Sequence, residues 1–272
     1  MTAAPPWLVV ERRDAPLIVS IPHAGVDLGD HAQRFVSPWR ARRDTDWHIP
    51  ELYAFAAPLG ATIVRTRFSR SIIDVNRDPS GASLYPGQAT TELCPTTTFD
   101  GEPLYRDDAA PGATEIAARR EAYFAPYHSA LAAEIARLRQ RHARVALYDA
   151  HSIRSRIPRL FEGELPQLNL GTYSGGACSR HLRETLAAII ADSGHSHVVD
   201  GRFKGGWITR SFGRPHEGVD AVQMELACRG YMAEPEAIDE DNWPTPFDPE
   251  RAAAILPTLR CLLEAMLVSR PS

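Results

Sequence analysis

The sequence contains few cysteines, and their spacing excludes several kinds of site. The four are Cys94, Cys178, Cys228 and Cys261. None forms a Cys-x-x-Cys pair, which is typical of structural zinc sites and thiol redox motifs. Disulfide frameworks belong mainly to cysteine-rich secreted chains. The cysteine content therefore predicts reduced thiols in a cytoplasmic protein.

Long apolar runs and basic clusters are also missing. No run approaches the roughly 20 apolar residues that a membrane span needs. The N-terminus has no basic region followed by a long apolar core, so we expect no signal peptide. The formal net charge is −4, and no stripe of arginine and lysine with interleaved aromatic residues occurs. We therefore expect binding neither to membranes nor to nucleic acid.

Short apolar segments and helical patterns predict an α/β protein. The hydrophobic fraction of 44% is sufficient for a sizeable core, and the absence of repeats and linkers favours a single domain over residues 1–272. The candidate strands are 16–22, 61–67, 145–148, 168–172 and 219–226, and the candidate helices are 50–59, 113–141, 179–193 and 249–267. Residues 80–111 are rich in glycine, proline and threonine and predict a lid or substrate loop, while 203–213 predicts a shorter glycine-bearing loop.

Asp149 and His151 follow the apolar run 145–148 and are two residues apart. Ligands of open α/β sheets bind at the carboxyl ends of strands, and residues two apart share one side if the strand continues. An aspartate beside a metal-binding histidine commonly fixes the orientation of the imidazole. The pair predicts a metal ligand, His151, supported by Asp149. The alternative is an aspartate that caps a strand end beside an ordinary loop histidine.

His23 occupies the same kind of position after another candidate strand. Asp44 and Asp46 precede the candidate helix 50–59, where acidic residues often act as caps. Three nitrogen or oxygen ligands and one open position make a catalytic zinc site. His23, His151 and one of the two aspartates would supply such a set.

Glu225 lies inside the candidate strand 219–226, where a carboxyl group is costly unless it is paired or functional. Burial would raise its pKa toward the range in which it can take a proton from water and pass it to a leaving nitrogen. Arginines on the loops would polarise a scissile carbonyl and hold substrate carboxylates. The candidates are Arg70, Arg77, Arg154, Arg156 and Arg210. Together these groups predict hydrolysis of an amide bond in a small anionic substrate.

Three short segments resemble motifs of the zinc carboxypeptidase and aspartoacylase superfamily. They are Asp74-Val75-Asn76-Arg77, Asp149-Ala150-His151 and Met224-Glu225-Leu226. The resemblance implies that Asn76 and Arg77 bind a substrate carboxylate and that Glu225 is the catalytic glutamate. It also implies that Arg70 polarises the carbonyl.

One position departs from this pattern. The first motif of the superfamily is His-x-x-Glu, whereas Val26 stands three residues after His23. The acidic metal ligand must then come from elsewhere, and Asp46, with Asp44 as the alternative, is the nearest supply.

Longer strings resemble the N-formylglutamate amidohydrolase (deformylase) family. They are residues 20–25, 44–48, 74–79 and 205–210, in the order that the family has them. The resemblance implies conversion of N-formyl-L-glutamate and water to L-glutamate and formate, late in histidine breakdown, with Zn²⁺ or another divalent metal. It also implies a three-layer α/β/α sandwich around a mixed, largely parallel sheet.

The two carboxylates of that substrate match the arginines on the candidate loops. We expect Asn76, Arg77, Arg154 and Arg210 to bind substrate, although the sequence does not say which arginine meets which carboxylate. Two alternatives remain. A related zinc hydrolase could act on another N-acyl amino acid or a peptide C-terminus. A non-enzymatic binder of acidic metabolites could use the arginines without a metal.

Overall fold

Seven strands form one sheet in the part of the chain that the computed structural model describes, residues 5–268. The prediction about the N-terminus rests partly on residues 1–4, which lie outside this range. The strands are Leu8–Glu11 (β1), Leu17–Ile21 (β2), Thr62–Thr66 (β3), Val145–Ile153 (β4), Leu168–Gly171 (β5), His197–Val199 (β6) and Val219–Ala227 (β7).

The sheet is mixed and largely parallel, as predicted. Its strand order is β1-β3-β2-β4-β7-β5-β6. The central pairings β3–β2, β2–β4 and β4–β7 are parallel, whereas β1–β3 and β7–β5 are antiparallel. Every residue of β2, β4 and β7 is buried. Strands that are covered on both faces have mostly apolar sequences, and this is why these three strands could be predicted from the sequence.

Helices cover both faces of the sheet, so the three-layer α/β/α sandwich is confirmed. The helices are Pro38–Arg42 (α1), Ile49–Leu52 (α2), Ala113–Arg119 (α3), Ala125–Arg139 (α4), Arg180–Asp192 (α5), Trp207–Phe212 (α6) and Pro249–Leu267 (α7). One apolar core joins α2, α5 and α7 to one face of the central strands. A second core joins α4 and α6 to the opposite face.

Two local predictions were wrong, one helix is less regular than expected, and two edge strands were not predicted. The expected helix 50–59 is only α2 followed by a 3₁₀ turn, Ala54–Ala56; Pro58 could not donate a backbone hydrogen bond to a longer helix. The expected helix 113–141 contains a π turn, Arg120–Phe124, just before Pro126. The expected loop 203–213 contains α6, and the edge strands β1 and β6 had no expected counterpart.

None of the helices between residues 5 and 268 combines the length and apolar character needed to cross a lipid bilayer.

Candidate active site

The parallel strands bring the candidate residues to one edge of the sheet. His23 follows the end of β2, and Asp149 and His151 lie in the second half of the neighbouring strand β4. On the other side of β4, Glu225 of β7 pairs in register with His151. The strand β4 continues through His151 to Ile153, so Asp149 and His151 do share one side.

His23, Asp46 and His151 form a buried cluster in which one ligand atom of each lies within 4.8 Å of the others. The Asp46 Oδ2 atom is 3.1 Å from His151 Nδ1 and 3.8 Å from His23 Nδ1. The backbone fixes this arrangement because the Asp46 N–H donates to the His23 carbonyl at 3.0 Å. Two imidazole nitrogens and a carboxylate oxygen are a common donor set for zinc.

Each histidine contacts a second carboxylate through Nε2, on the side of the ring away from Asp46. His23 Nε2 is 2.7 Å from Asp74 Oδ1, and His151 Nε2 is 2.8 Å from Asp149 Oδ2. These bonds turn both Nδ1 atoms toward Asp46, and His23 Nδ1 is buried without a hydrogen-bond partner. Carboxylates placed in this way orient metal-binding histidines in many proteins. The sequence indicated this role for Asp149 but not for Asp74.

The charges around the cluster favour a neutral His23. Burial, aided by the positive charge of Arg70, lowers the pKa of His23, so the unpartnered Nδ1 offers a lone pair. Burial also opposes a charged His151, but the charges and hydrogen bonds of Asp149 and Asp46 outweigh it and raise the pKa of His151. A cation placed among these groups would compete with that proton, because metal ligands must be deprotonated.

Arg70 joins the cluster to the cavity beside it. Its Nη2 donates to Asp74 Oδ2 at 2.7 Å and its Nη1 to Asp46 Oδ1 at 3.3 Å. The Phe99 ring covers the guanidinium, with its centroid 4.9 Å from Cζ. Because two carboxylates and an aromatic ring hold it, this arginine presents a fixed positive charge to the cavity wall.

Glu225 also faces the cavity and is only 7% exposed. Its Oε2 accepts a hydrogen bond from Gln223 Nε2 at 3.0 Å. Burial raises the pKa of Glu225 to about 7, well above that of an exposed glutamate. Both its acid and its base form are therefore populated near neutral pH, as a group that first accepts and then returns a proton requires.

The cavity is suited to a small anionic ligand. Its empty space is about 570 Å³, open solvent at the mouth included. Arg77 and Arg202 line its wall together with His23, His151 and Glu225. Arg77 is fixed there by a hydrogen bond from its Nη2 to Thr91 Oγ1 at 2.9 Å.

Two predicted substrate-binding arginines lie outside the cavity wall. Arg154 pairs with Asp100 and lies 3.7 Å from Asp44. Arg210 donates to the carbonyls of Gly205 and Leu84 at 2.8 and 3.0 Å. The sequence supplied the arginines but could not show which carboxylates and carbonyls hold them elsewhere. In this structure neither guanidinium lines the cavity, whereas that of Arg77 does.

Asn76 lines the cavity, but both atoms of its side-chain amide form hydrogen bonds with other residues of the protein. Nδ2 donates to Asp149 Oδ2 at 2.9 Å, and Oδ1 accepts the Ile208 N–H at 2.8 Å. Gly206 packs so closely that a Cβ there would lie 2.5 Å from the amide. Asn76 therefore orients Asp149 in this structure.

The structure brings Asp46, and not the alternative Asp44, to the histidines. Asp44 accepts the Phe99 N–H at 2.7 Å, whereas Asp46 Oδ2 accepts the Ser152 N–H at 3.1 Å within the cluster. Neither aspartate caps α2, whose N-cap residue is His48. The side chain of Arg202, by contrast, reaches the cavity although no feature of the sequence marked it.

Comparisons with known proteins identify the family to which this chain is similar. The model of a family described as N-formylglutamate amidohydrolase matches residues 15–232. A protein of Pseudomonas putida named N-formylglutamate deformylase is 45% identical over 93% of this chain and 92% of its own length. One of the same name from Pseudomonas aeruginosa is 44% identical over 96% of both chains. The crystal structure of N-formylglutamate amidohydrolase from Ralstonia eutropha JMP134 shares the fold, with a TM-score of 0.75 at 24% identity over 97% of this chain and 98% of that one.

Proposed function

This chain belongs to the N-formylglutamate amidohydrolase family, and on that premise we propose that it hydrolyses N-formyl-L-glutamate to L-glutamate and formate. The observation that carries the proposal is the cavity, in which a buried His-Asp-His cluster, a glutamate and arginines converge. We also propose that the reaction serves histidine breakdown, as the family resemblance implies, and that it takes place in the cytoplasm, as the cysteine content predicts.

We propose that His23 Nδ1, Asp46 Oδ2 and His151 Nδ1 hold a divalent metal, with zinc as the first candidate. The donor set fits, since the three atoms converge and His23 Nδ1 is buried without a partner. When bound, such a metal supplies Lewis-acid chemistry and makes water more acidic. Asp74 and Asp149 would keep both imidazoles aimed at it.

Glu225 is proposed as the proton carrier. Its carboxylate would take a proton from the attacking water and then deliver it to the amino nitrogen that leaves as the C–N bond breaks. Arg70 would polarise the formyl carbonyl, because its guanidinium is fixed at the cavity wall beside the cluster. Phe99 covers that guanidinium, and we propose that the ring restricts the space for the acyl group.

Arg77 is proposed to hold the α-carboxylate of the substrate. We expect Arg77→Ala to raise KM by roughly 30-fold or more with a smaller effect on kcat, because a charge-assisted contact to a buried carboxylate is lost. Steady-state kinetics on N-formyl-L-glutamate would measure the change. Arg156→Ala is the matched control, since Arg156 is mostly exposed and pairs with Glu164 outside the cavity. If Arg77→Ala left both parameters unchanged, Arg77 would have no contact with substrate.

Metal removal tests the proposed function directly. We expect the purified protein to contain about one zinc per chain by elemental analysis, and to release formate from N-formyl-L-glutamate. A chelator should stop that release, and added zinc should restore it. Rates on N-acetyl- and N-succinyl-glutamate should be lower. Zinc without formate release would reject this acyl group, while the absence of both zinc and turnover after metal addition would reject the hydrolase.

A further inference from the structure

Arg202 is a cavity arginine that two distant segments hold in place. Its Nε donates to the Leu160 carbonyl at 2.9 Å, and its Nη2 donates to the Ala89 carbonyl at 2.8 Å. The Tyr85 and Phe203 rings lie 5.2 and 5.3 Å from its Cζ. These contacts leave few conformations for the guanidinium, so its orientation toward the cavity is set before any ligand arrives.

The positive charge of Arg202 has no carboxylate partner within residues 5–268. Its hydrogen bonds there go to backbone carbonyls, and they leave the Nη1 group without a protein acceptor. The other two arginines of the cavity differ, because Arg70 bonds Asp74 and Arg77 lies 3.5 Å from the same carboxylate. A half-buried cation without a counter-ion is unfavourable, and an anionic ligand would offset that cost.

Arg202 and Arg77 belong to the same binding surface. Ala89 bonds Arg202 and Thr91 bonds Arg77, so one stretch of chain holds both guanidinium groups against the cavity. Arg77 is three residues from Asp74, which orients His23, and it is therefore tied to the cluster. The α-carboxylate lies next to the scissile bond, and the side-chain carboxylate is the more distant of the two charges.

We propose that Arg202 binds the side-chain carboxylate of the substrate and so determines the preference for an acidic amino acid. The inference rests on the proposed function, because it assigns the second of the two carboxylates of N-formyl-L-glutamate. Arg202 would bind that carboxylate through Nη1 and the second N–H of Nη2, a planar pair of donors that fits a carboxylate.

The chain supplies a matched control in Arg210. Its Cζ lies 4.9 Å from the same Tyr85 ring, and it also donates to two backbone carbonyls. The Tyr173 ring covers it at 4.8 Å, and it is absent from the cavity wall. Arg210→Gln therefore removes similar contacts to the surrounding loops without removing a charge from the cavity.

The test compares N-formyl-L-glutamate with N-formyl-L-glutamine, which has the same shape and a neutral side chain. We expect the wild-type kcat/KM to favour glutamate by about 100-fold or more, as sites built around a substrate's charged or polar group do. Arg202→Gln should reduce kcat/KM for the glutamate substrate by about that factor and change the glutamine substrate much less. Arg202→Lys should retain part of the preference. Arg210→Gln should keep the wild-type ratio, whatever it does to the two rates.

Several outcomes would overturn the assignment. Equal losses on both substrates in Arg202→Gln would give Arg202 a purely structural role. If that variant does not fold, Arg202→Met, which also removes the charge, takes its place. An unchanged ratio in Arg202→Met, or equal wild-type rates on the two substrates, would remove Arg202 as the selective residue while the deformylase remained. Wild-type protein that releases no formate from either substrate would instead reject the proposed function.

Discussion

Replacing Glu225 with glutamine should lower kcat by roughly 10²–10⁴-fold, which is the usual contribution of a positioned acid or base. Glutamine has the same shape and can accept the hydrogen bond from Gln223, so packing should persist. It cannot carry a proton between water and the leaving nitrogen. We therefore expect zinc content and KM to stay close to those of the wild-type protein, so that the loss lies in kcat.

Steady-state kinetics and elemental analysis of the same preparation would measure this effect. Glu134→Gln is the matched control, because Glu134 is also a buried glutamate but pairs with Arg12 and Arg137 far from the cavity. That control should lower Tm and leave kcat unchanged. Near-wild-type kcat in Glu225→Gln would exclude Glu225 as the proton carrier.

His151→Ala should remove bound metal and activity together. It deletes one of the three converging donors, so we expect metal affinity to fall by more than about 100-fold, the upper end for losing only an orienting partner. It also leaves Asp46 and Asp149 buried without the imidazole between them. Tm should therefore fall as well, since buried carboxylates lose their partner.

Metal titration by calorimetry and activity at saturating zinc would measure this loss. His195→Ala provides the comparison, because His195 contacts Gln167 and the Ala254 carbonyl and belongs to no cluster of metal-binding residues within residues 5–268. It should keep one zinc per chain. A His151→Ala protein that bound zinc as tightly as the wild type would show that His151 is a structural residue.

The sequence revealed the central sheet because burial on both faces leaves a strong signal. The strands β2, β4 and β7 are buried throughout and mostly apolar, and His23, His151 and Glu225 lie at or just after their carboxyl ends. Parallel neighbours end at the same edge, so these three side chains could be expected to meet. Edge strands and short helices lack that signal, which is why β1, β6 and α6 were missed.

The remaining site residues depend on contacts between distant parts of the chain. The sequence could not choose between Asp44 and Asp46, because the choice is made by the hydrogen bond from Asp46 to the His23 backbone. It could not place Arg202 at the cavity, because carbonyls more than 40 residues away hold the guanidinium there. Local sequence patterns contain no information about such partners.

The residues proposed to carry out the reaction and the residue proposed to select the substrate lie on different kinds of chain segment. The proposed proton carrier and both proposed metal-binding histidines lie on or next to central strands, whereas Arg202 and its neighbours Tyr85 and Ala89 lie between regular elements. Directed evolution of a new substrate range should therefore target residues 85–90 and 200–204, which exclude Thr91, the partner of Arg77, and Gly206, which packs against Asn76. Variants from a library confined to those two loops should accept substrates with different amino acid side chains. They would keep the residues proposed to bind metal and carry the proton, so the reaction itself should not change.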